Sequence, residues 1–316
     1  MSTGFTATHH QNVAGSLWMI ASMVAFSVED VFLKRASAGL PVSMVMIVFG
    51  GLGMLVFAGI CLVRRHALVP PELRHPSLLF RFWFEVFGRL FFTLSLVLTA
   101  LSSTVAILQA TPLVVVAGTA LVFRERVSTG RWLAVFVGLC GVILILRPSA
   151  SDFSGLSLLA VLGMLGLALR DLATRAAPRH VPNAVLGFYS YGSVVVAGAA
   201  YAAWERPPLA IPEASTVPVL AGAALAGALG YIALTEAMRT GDVSVVTPFR
   251  YTRLLFGLVS GILLFGETVD LLDIGGILLV TGSGFVVLVG GGRLQARERT
   301  SVRARPRSAA ESETGT

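Results

Sequence analysis

The sequence predicts an all-α integral membrane protein whose ten transmembrane helices form two inverted five-helix repeats. Composition is the first indication: 13% of the 316 residues are charged and the mean hydropathy is +0.81, whereas about 25% of residues are charged in an ordinary soluble domain. The apolar residues also fall into ten runs, most of them close to the ~20 residues that cross a bilayer. In addition, the two halves of the chain match each other.

We predict ten membrane segments, separated by short joints that contain Pro, Gly or charged residues. The segments span residues 14–34, 40–63, 78–100, 103–123, 131–147, 155–176, 183–204, 217–238, 243–265 and 270–290. Joints such as Arg147-Pro148-Ser149 leave little room for a soluble domain. The predicted organisation is an N-terminal tail (1–13), a first repeat (14–147), a second repeat (155–290) and a disordered basic tail (291–316).

Arginine residues in the joints predict the orientation of the chain. With a cytoplasmic N-terminus, the inner joints contain Arg64, Arg65 and Arg74, among others, while the last outer joint (266–270) has no basic residue. Because basic residues favour the cytoplasmic side of a membrane, we expect both termini to lie in the cytoplasm.

An internal repeat links residues 16–41 to residues 157–182 at an offset of 141. A second match, at an offset of 142, joins Phe123-Arg124-Glu125 to Phe265-Gly266-Glu267. Since each half has five helices, an odd number, the second half is inverted in the membrane. Inverted repeats are typical of secondary transporters, whose substrate site lies at the repeat interface near the middle of the membrane.

Several other classes of function are disfavoured. Nucleic acid is not an expected partner despite the net charge of +7, because six arginines lie in the last 24 residues and others lie in joints. No Cys/His cluster has the spacing of a metal site, and no Gly-Lys-Ser/Thr phosphate loop is present. We therefore expect no metal, no cofactor and no enzyme activity. An intramembrane enzyme acting on lipid is the alternative from another class, but the five histidines are scattered.

Glu85 and Arg89 lie inside the apolar third segment. They are four residues apart, so on a helix they share one face and can pair. Charged groups in a membrane are costly and face protein or a water-filled cavity. Two interpretations stay open. Arg89 binds an acidic group or carbonyl of a solute while Glu85 positions it or takes up a proton, or the two residues form a structural pair.

The fourth segment contains Gln109, Thr111 and Pro112. Pro112 removes a backbone donor and kinks the helix. The kink exposes polar backbone, and Gln109 and Thr111 then become candidate substrate ligands; a kink that serves packing alone is the alternative. Pro248 has the same expected effect in the ninth segment.

The ninth segment contains two more basic residues, Arg250 and Arg253, which are three apart and share a face. Together with Arg89 they form a basic cavity suited to an anionic or zwitterionic solute, with Glu236 as their expected partner. Tyr251 and Tyr231 are the aromatic residues assigned to the substrate site. Snorkelling or pairing of the two arginines at the inner membrane surface is the alternative.

Four acidic residues inside the segments are candidates for proton coupling: Glu29, Glu85, Asp171 and Glu236. A second pattern concerns helix ends, where Asp30 precedes Lys34 by four residues and Asp171 precedes Arg175 by four. We interpret these two pairs as interfacial salt bridges.

The two halves resemble the EamA repeats of the drug/metabolite transporter superfamily. The resemblance rests on Phe123-Arg124-Glu125-Arg126-Val127 at the end of the fourth segment and Leu264-Phe265-Gly266-Glu267 at the end of the ninth, each followed by a glycine-containing helix. The stretch 244–251 is similar to the ninth helix of many bacterial members. Arg124 departs from the Gly that many members have before the Glu.

This resemblance implies a transporter of the bacterial inner membrane that moves a small organic solute by alternating access. Its central cavity would be walled by the first four helices of each half, with the fifth and tenth helices at the periphery. Riboflavin, S-adenosylmethionine and amino acids are the solutes it suggests, and export of amino acids or drugs is the alternative. The expected partners are the small-molecule substrate, the lipid bilayer and a second copy of the chain in a homodimer.

Overall fold

The computed structural model describes residues 9–122, 129–146, 155–176, 178, 181–206, 216–241, 246–283 and 286. Within these residues the chain forms helices and turns, and no strand. The helices of the first half are α1 (His9–Ala36), α2 (Val42–Val63), α3 (Pro76–Leu98), α4 (Leu101–Leu108), α5 (Thr111–Val122) and α6 (Thr129–Leu146). Those of the second half are α7 (Ser157–Arg175), α8 (Asn183–Glu205), α9 (Thr216–Thr240), α10 (Thr252–Phe265) and α11 (Leu271–Ser283). Short 3-10 helices cover Pro71–Arg74 and Thr247–Tyr251.

The predicted fold class is confirmed. Of the described residues, six helical stretches are long and apolar enough to cross a membrane: α1, α2, the stretch formed by α4 and α5, α7, α8 and α9. Helix α3 has 23 residues and corresponds to the third predicted segment, but it carries three charged side chains. The fifth, ninth and tenth predicted segments correspond to the shorter apolar helices α6, α10 and α11. Helix α1 begins at His9 rather than at residue 14 because its hydrogen-bonded turns continue beyond the apolar run.

Two membrane segments are interrupted, and the interruptions touch each other. The fourth segment breaks at Gln109 and Ala110, where α4 ends and α5 begins with Thr111. In the ninth segment, the 3-10 helix Thr247–Tyr251 directly precedes α10. The Gln109 amide donates to the Arg250 carbonyl at 3.0 Å. These two residues are 141 positions apart, and the sequence repeat has offsets of 141 and 142, so the contact joins closely corresponding positions of the two halves.

Helices of one half pack mainly against helices of the other half. Helix α1 packs on α9, α3 on α7 and α2 on α8. Because the repeat relates α1 to α7 and α3 to α9, the first two contacts are the same interface formed twice. The backbones approach closely there: a Cβ atom at Gly166 would lie 2.5 Å from the Gly88 Cα, as small residues permit in membrane bundles. The fifth and tenth segments, α6 and α11, contact each other through Gly141 and Gly276.

Candidate functional site

The interior of the bundle contains a cluster of charged side chains from both halves, which we call the central charge cluster. Its members come from α1, α3, α7 and the start of the ninth segment. They are five arginines (Arg81, Arg89, Arg170, Arg250 and Arg253) and four carboxylates (Glu29, Asp30, Glu85 and Asp171). Charges at this depth are expensive unless they are paired or face water, so each contact matters.

Glu85 is the most enclosed member, with no exposed surface. Its carboxylate lies 2.9 Å from Arg170 Nη1 and 3.3 Å from Arg81 Nη1, and it accepts a hydrogen bond from the Ser190 hydroxyl at 3.0 Å. It therefore connects α3, α7 and α8. The predicted pair between Glu85 and Arg89 is wrong, because Arg81, one turn before Glu85, and Arg170, brought in by the close α3–α7 packing, occupy the carboxylate instead.

Arg89 pairs with the first helix. Its Nη1 lies 3.5 Å from a carboxylate oxygen of Glu29, a residue that is almost fully buried. The Nε of Arg89 is also buried and has no hydrogen-bond partner among the residues that the structure describes. Next to this pair, Tyr191 on α8 donates its hydroxyl hydrogen to the Ala224 carbonyl at 3.4 Å. The Glu29–Arg89 contact is therefore longer and less complete than the Glu85–Arg170 contact.

Asp30 and Arg253 form a bidentate pair. Arg253 Nη2 lies 2.9 Å and 2.8 Å from the two Asp30 oxygens, and the rings of Phe26 and Phe92 lie 5.3 Å and 5.8 Å from its guanidinium carbon. The predicted Asp30–Lys34 salt bridge is therefore wrong, because α10 presents Arg253 to the buried face of α1. The predicted pairing of Arg253 with Glu236 is wrong for the same reason, since Glu236 is exposed on α9.

Arg250 differs from the other four arginines. Its backbone is held by Gln109, while its half-buried guanidinium forms no ion pair or hydrogen bond with any residue in the described part of the chain, Glu236 included. Asp171, Arg170 and Arg253 lie within electrostatic range of it. The adjacent Tyr251 hydroxyl is buried and has no partner either.

The other predicted residues of the interrupted helices have different surroundings. The Thr111 hydroxyl donates to the Leu108 carbonyl at 2.5 Å and closes the turn before α5. Pro112 is the second residue of α5 and Pro248 the second of the 3-10 helix, but their side chains lie outside the part that the structure describes. The side chain of Arg175, predicted to pair with Asp171, also lies outside it; Asp171 itself pairs with Arg170 at 2.8 Å.

A cavity of about 680 Å³ lies between α2, α8 and α9. Arg64 and His66, at the end of the bundle that we predict to be cytoplasmic, belong to its wall. Further wall residues include Phe57, Ile60, Asn183, Tyr231, Thr235 and Glu236. Tyr231 packs edge-on against Phe57, with ring centres 5.4 Å apart, and lies within electrostatic range of Arg81, Glu85 and Arg170. Two predicted site residues, Tyr231 and Glu236, thus line the cavity, and Tyr231 is the one that also lies near members of the central charge cluster.

At the opposite end of the bundle lies the Lys34–Glu267 cluster, which comprises Lys34, Thr99, Leu101, Ser102 and Glu267. Lys34 Nζ donates to Glu267 at 2.9 Å and to the Thr99 carbonyl at 3.0 Å. Glu267 also accepts the backbone N–H groups of Leu101 and Ser102 at 2.6 Å and 3.0 Å, and so caps α4. Gly266, with φ of +64°, ends α10 in the left-handed conformation that lets Glu267 turn back.

Glu267 is charged over a wide pH range. Burial alone would raise its pKa, but hydrogen bonds from the Ser102 backbone N–H, from Lys34 and from the Ser102 hydroxyl hold the pKa below its ordinary value of 4.5. The Glu267 carboxylate therefore stays ionised near neutral pH. The sequence alone does not indicate the Lys34–Glu267 cluster, although Glu267 belongs to the repeated motif.

Comparison with known proteins identifies the family. The EamA-like transporter family matches residues 13–147 and 155–289. The chain belongs to this family. A riboflavin transporter of Vibrio cholerae is 29% identical over 269 residues, covering 81% of this chain and 87% of that protein. An S-adenosylmethionine uptake transporter of Rickettsia prowazekii is 21% identical and covers 86% and 92%. A pseudopaline exporter of Pseudomonas aeruginosa is 25% identical and covers 84% and 93%.

A solved crystal structure has the same fold, with a TM-score of 0.59 over 86% of this chain at 16% identity. Membership of the EamA-like family confirms the predicted superfamily and the predicted class of function, a membrane transporter of small metabolites. The described helices agree with a multi-pass membrane protein.

Proposed function

We propose that this EamA-like protein is a secondary transporter that moves a small organic metabolite across the bacterial inner membrane by alternating access, with both termini in the cytoplasm. The observation that carries the proposal is the central charge cluster, in which Arg89, Arg170 and Arg253 pair with acids on other helices or in the other half. A membrane protein without a transport function would gain no stability from these charges, because apolar residues of similar size cost less free energy inside the membrane.

The repeat interface is the expected place of movement. When one half rocks against the other, the pairs Glu85–Arg170 and Asp30–Arg253, which join the two halves, must separate or exchange partners, and a bound solute can replace a lost partner. Within the first half, the solute can also draw Arg89 away from Glu29. The long Glu29–Arg89 contact is the one we expect to open first. Glu29 and Asp171 are then the acids best placed for proton coupling, and Glu236 is the candidate in the cavity wall.

The cavity supports a small-molecule substrate. Its volume of about 680 Å³ lies within the range of roughly 300–1,000 Å³ typical of small-ligand sites. We assign Tyr231 to the wall that guides the solute, and Arg89, Gln109, Arg250 and Tyr251 to the groups that contact it at the repeat interface. Thr111 and Arg253 also contact the solute once Thr111 releases the Leu108 carbonyl and Arg253 releases Asp30.

Transport in vesicles tests this function. Right-side-out and inverted membrane vesicles that contain the protein are supplied with labelled riboflavin or S-adenosylmethionine, the solutes in the names of two relatives, or with labelled amino acids, which the family resemblance suggests. We expect saturable accumulation of at least one solute in one orientation, which also separates uptake from export.

Arg89→Ala is the matching variant. We expect transport to fall to the level of empty vesicles while most of the protein still reaches the membrane, because the variant removes the cation beside Glu29 but breaks only the longest contact of the cluster. Arg35→Ala, at an exposed arginine at the end of α1, is the control and should transport normally. Normal transport by Arg89→Ala would overturn the site assignment, and no transport of any solute in either orientation would overturn the function.

A further inference from the structure

We propose that the transported metabolite carries an acidic group, a carboxylate or a phosphate, and that Arg250 and Tyr251 bind this group at the repeat interface. The inference rests on the proposed transport function and names the chemical class of its substrate. It follows from three independent features: the balance of charge in the interior, the position of Arg250 at a contact between corresponding positions of the two halves, and two neighbouring donors that have no partner.

In the central charge cluster, guanidinium groups outnumber carboxylates by one. Arg81, Arg89, Arg170 and Arg253 each have a carboxylate within 3.5 Å. Arg250 has none among the residues that the structure describes, so the central charge cluster holds five guanidinium groups against four carboxylates. An unpaired guanidinium inside a membrane bundle is costly, and an acidic substrate removes this cost on binding.

The nearby carboxylates are already engaged. Both oxygens of Asp30 contact Arg253, and Glu85 is held by two arginines and by Ser190. Asp171 is the acid within electrostatic range of Arg250, and it pairs with Arg170 through its Oδ1 atom. The Oδ2 atom of Asp171 stays outside that pair, but no carboxylate of the cluster forms an ion pair with Arg250 in the part of the chain that the structure describes.

Arg250 also lies where a substrate of an inverted-repeat transporter binds. The Gln109 amide donates a hydrogen bond of 3.0 Å to the backbone carbonyl of Arg250, 141 residues further along the chain. The backbone that carries the guanidinium is therefore anchored to the other half. Such sites in inverted-repeat transporters lie at the repeat interface and use interrupted helices. Both interruptions of this protein meet at this hydrogen bond.

The available donors suit an acidic group. A guanidinium binds carboxylate or phosphate through two parallel hydrogen bonds. On the adjacent residue, the Tyr251 hydroxyl is buried and has no hydrogen-bond partner among the described residues. It can therefore donate a third hydrogen bond to the acidic group. Arg170 and Arg253 add positive charge around the site. A neutral solute would leave Arg250 uncompensated, and a purely cationic one would be repelled.

The test compares pairs of probes that differ only in the acidic group. Riboflavin 5′-phosphate and riboflavin form the phosphate pair; S-adenosylmethionine and its decarboxylated form, and alanine and alaninamide, form carboxylate pairs. Affinity of the purified full-length protein in detergent is measured by thermal shift and by tryptophan fluorescence titration. We expect the acidic member of at least one pair to bind about tenfold tighter or more, and the pair that responds identifies carboxylate or phosphate.

Arg250→Gln should abolish this preference, so that both members of the pair bind alike, whereas Arg250→Lys should keep part of it. Arg35→Gln is the matched control and should leave the preference intact. If Arg250→Gln does not fold, Tyr251→Phe serves instead, because it removes one hydroxyl and should weaken binding of the acidic member alone.

Three outcomes would overturn the inference: equal or tighter binding of the neutral members, a preference that persists in Arg250→Gln and Tyr251→Phe, or no acid-dependent binding in any pair. Failure of the transport function is seen separately, as absence of vesicle transport for every solute. Transport of a neutral solute that tolerates Arg250→Gln would keep the function and reject the acidic substrate.

Discussion

Asp30 and Arg253 are the residues whose separation should cost the fold most. They form a bidentate pair, and Asp30 is 1% exposed. Arg253→Ala leaves this carboxylate buried without its cation, and breaking a buried pair costs about 3–5 kcal/mol. We expect a clear fall in the midpoint of thermal unfolding in detergent, accompanied by lower expression in the membrane.

The double variant Asp30→Ala/Arg253→Ala separates pairing from simple loss of side chains. Neither charge remains in it, so its unfolding midpoint should lie well above the value expected from adding the two single effects. Strict additivity of the two substitutions would contradict the pairing that we describe.

Gly227 on α9 provides space for two side chains of the charge network. A Cβ atom there would overlap the Tyr191 hydroxyl and lie 2.7 Å from a Glu29 carboxylate oxygen. Gly227→Ala should therefore displace Glu29 from Arg89, reduce transport strongly and cost about 1–3 kcal/mol of stability.

Gly51→Ala is the matched control for Gly227→Ala, because a Cβ at that position of α2 meets no atom within 4 Å. Alanine favours a helix by up to about 1 kcal/mol over glycine, so this variant should be as stable as the parent protein or more so. Unchanged transport in Gly227→Ala would show that Glu29 need not keep its present position.

The sequence predicted the charged residues of the site better than their partners. Glu85, Arg89, Arg250 and Arg253 could be named because charges inside apolar runs are rare. The i,i+4 rule then suggested partners on the same helix, whereas most pairs in the interior join different helices, such as Glu29–Arg89. Partner choice depends on how helices cross, and this information is absent from a single segment. Arg81 was missed although it lies four residues before Glu85 in the same apolar run.

At the scale of secondary-structure elements, α4 depends on a residue from the other half. Glu267, in the joint after α10, caps the first turn of α4 and pairs with Lys34 of α1. Its folded pKa lies below the ordinary value of 4.5. The folded protein therefore binds fewer protons at Glu267 than the unfolded chain. This contribution to stability is complete above that ordinary value and is lost as the pH falls through the folded pKa.

Glu267→Gln should reveal this pH dependence. We expect the parent protein to melt at a higher temperature than the variant by a nearly constant margin from about pH 8 down to about pH 5, and the margin should shrink in more acidic buffer. The measurement is a series of thermal unfolding curves in detergent. A margin that already disappears near pH 6 would mean that Glu267 does not have a lowered pKa.

The interrupted helices show what element prediction can and cannot supply. Pro112 and Pro248 indicated which two segments deviate from a continuous helix, since proline lacks a backbone donor. The sequence did not indicate that the two interruptions would meet. The Gln109–Arg250 contact spans 141 residues and becomes visible only when the repeat offset is combined with the packing of the two halves.

At the scale of the whole molecule, the two ends of the bundle differ. The end with Arg64 and His66 has the cavity, while the other end is held together by the Lys34–Glu267 cluster. An inverted repeat relates the two ends to each other, so a transporter built this way can exchange their states. We interpret the described conformation as one in which the substrate path is open toward the cavity end and closed by the Lys34–Glu267 cluster.

Loss of the Lys34–Glu267 cluster should therefore open the opposite end. Thr104 on α4 is 1% exposed and contacts Thr99 of this cluster through its hydroxyl, so Thr104→Cys reports on opening there. In a background without Cys61 and Cys140, a membrane-impermeant maleimide should label Thr104→Cys slowly in right-side-out vesicles. Adding Glu267→Gln removes the charge that pairs with Lys34 and one of the two oxygens that cap α4. Labelling should then become several-fold faster, because the closed state loses interactions that the open state does not use.

Two further cysteines fix the side from which the reagent acts. Gly39→Cys, in the exposed turn after α1, should be labelled only in right-side-out vesicles, with or without Glu267→Gln. Thr235→Cys, in the cavity wall, should be labelled in inverted vesicles, and more slowly once Glu267→Gln favours the opposite opening. The reverse sidedness at both positions would invert the proposed orientation. Unchanged labelling of Thr104→Cys together with unchanged labelling of Thr235→Cys would mean that the Lys34–Glu267 cluster stabilises the fold without controlling access.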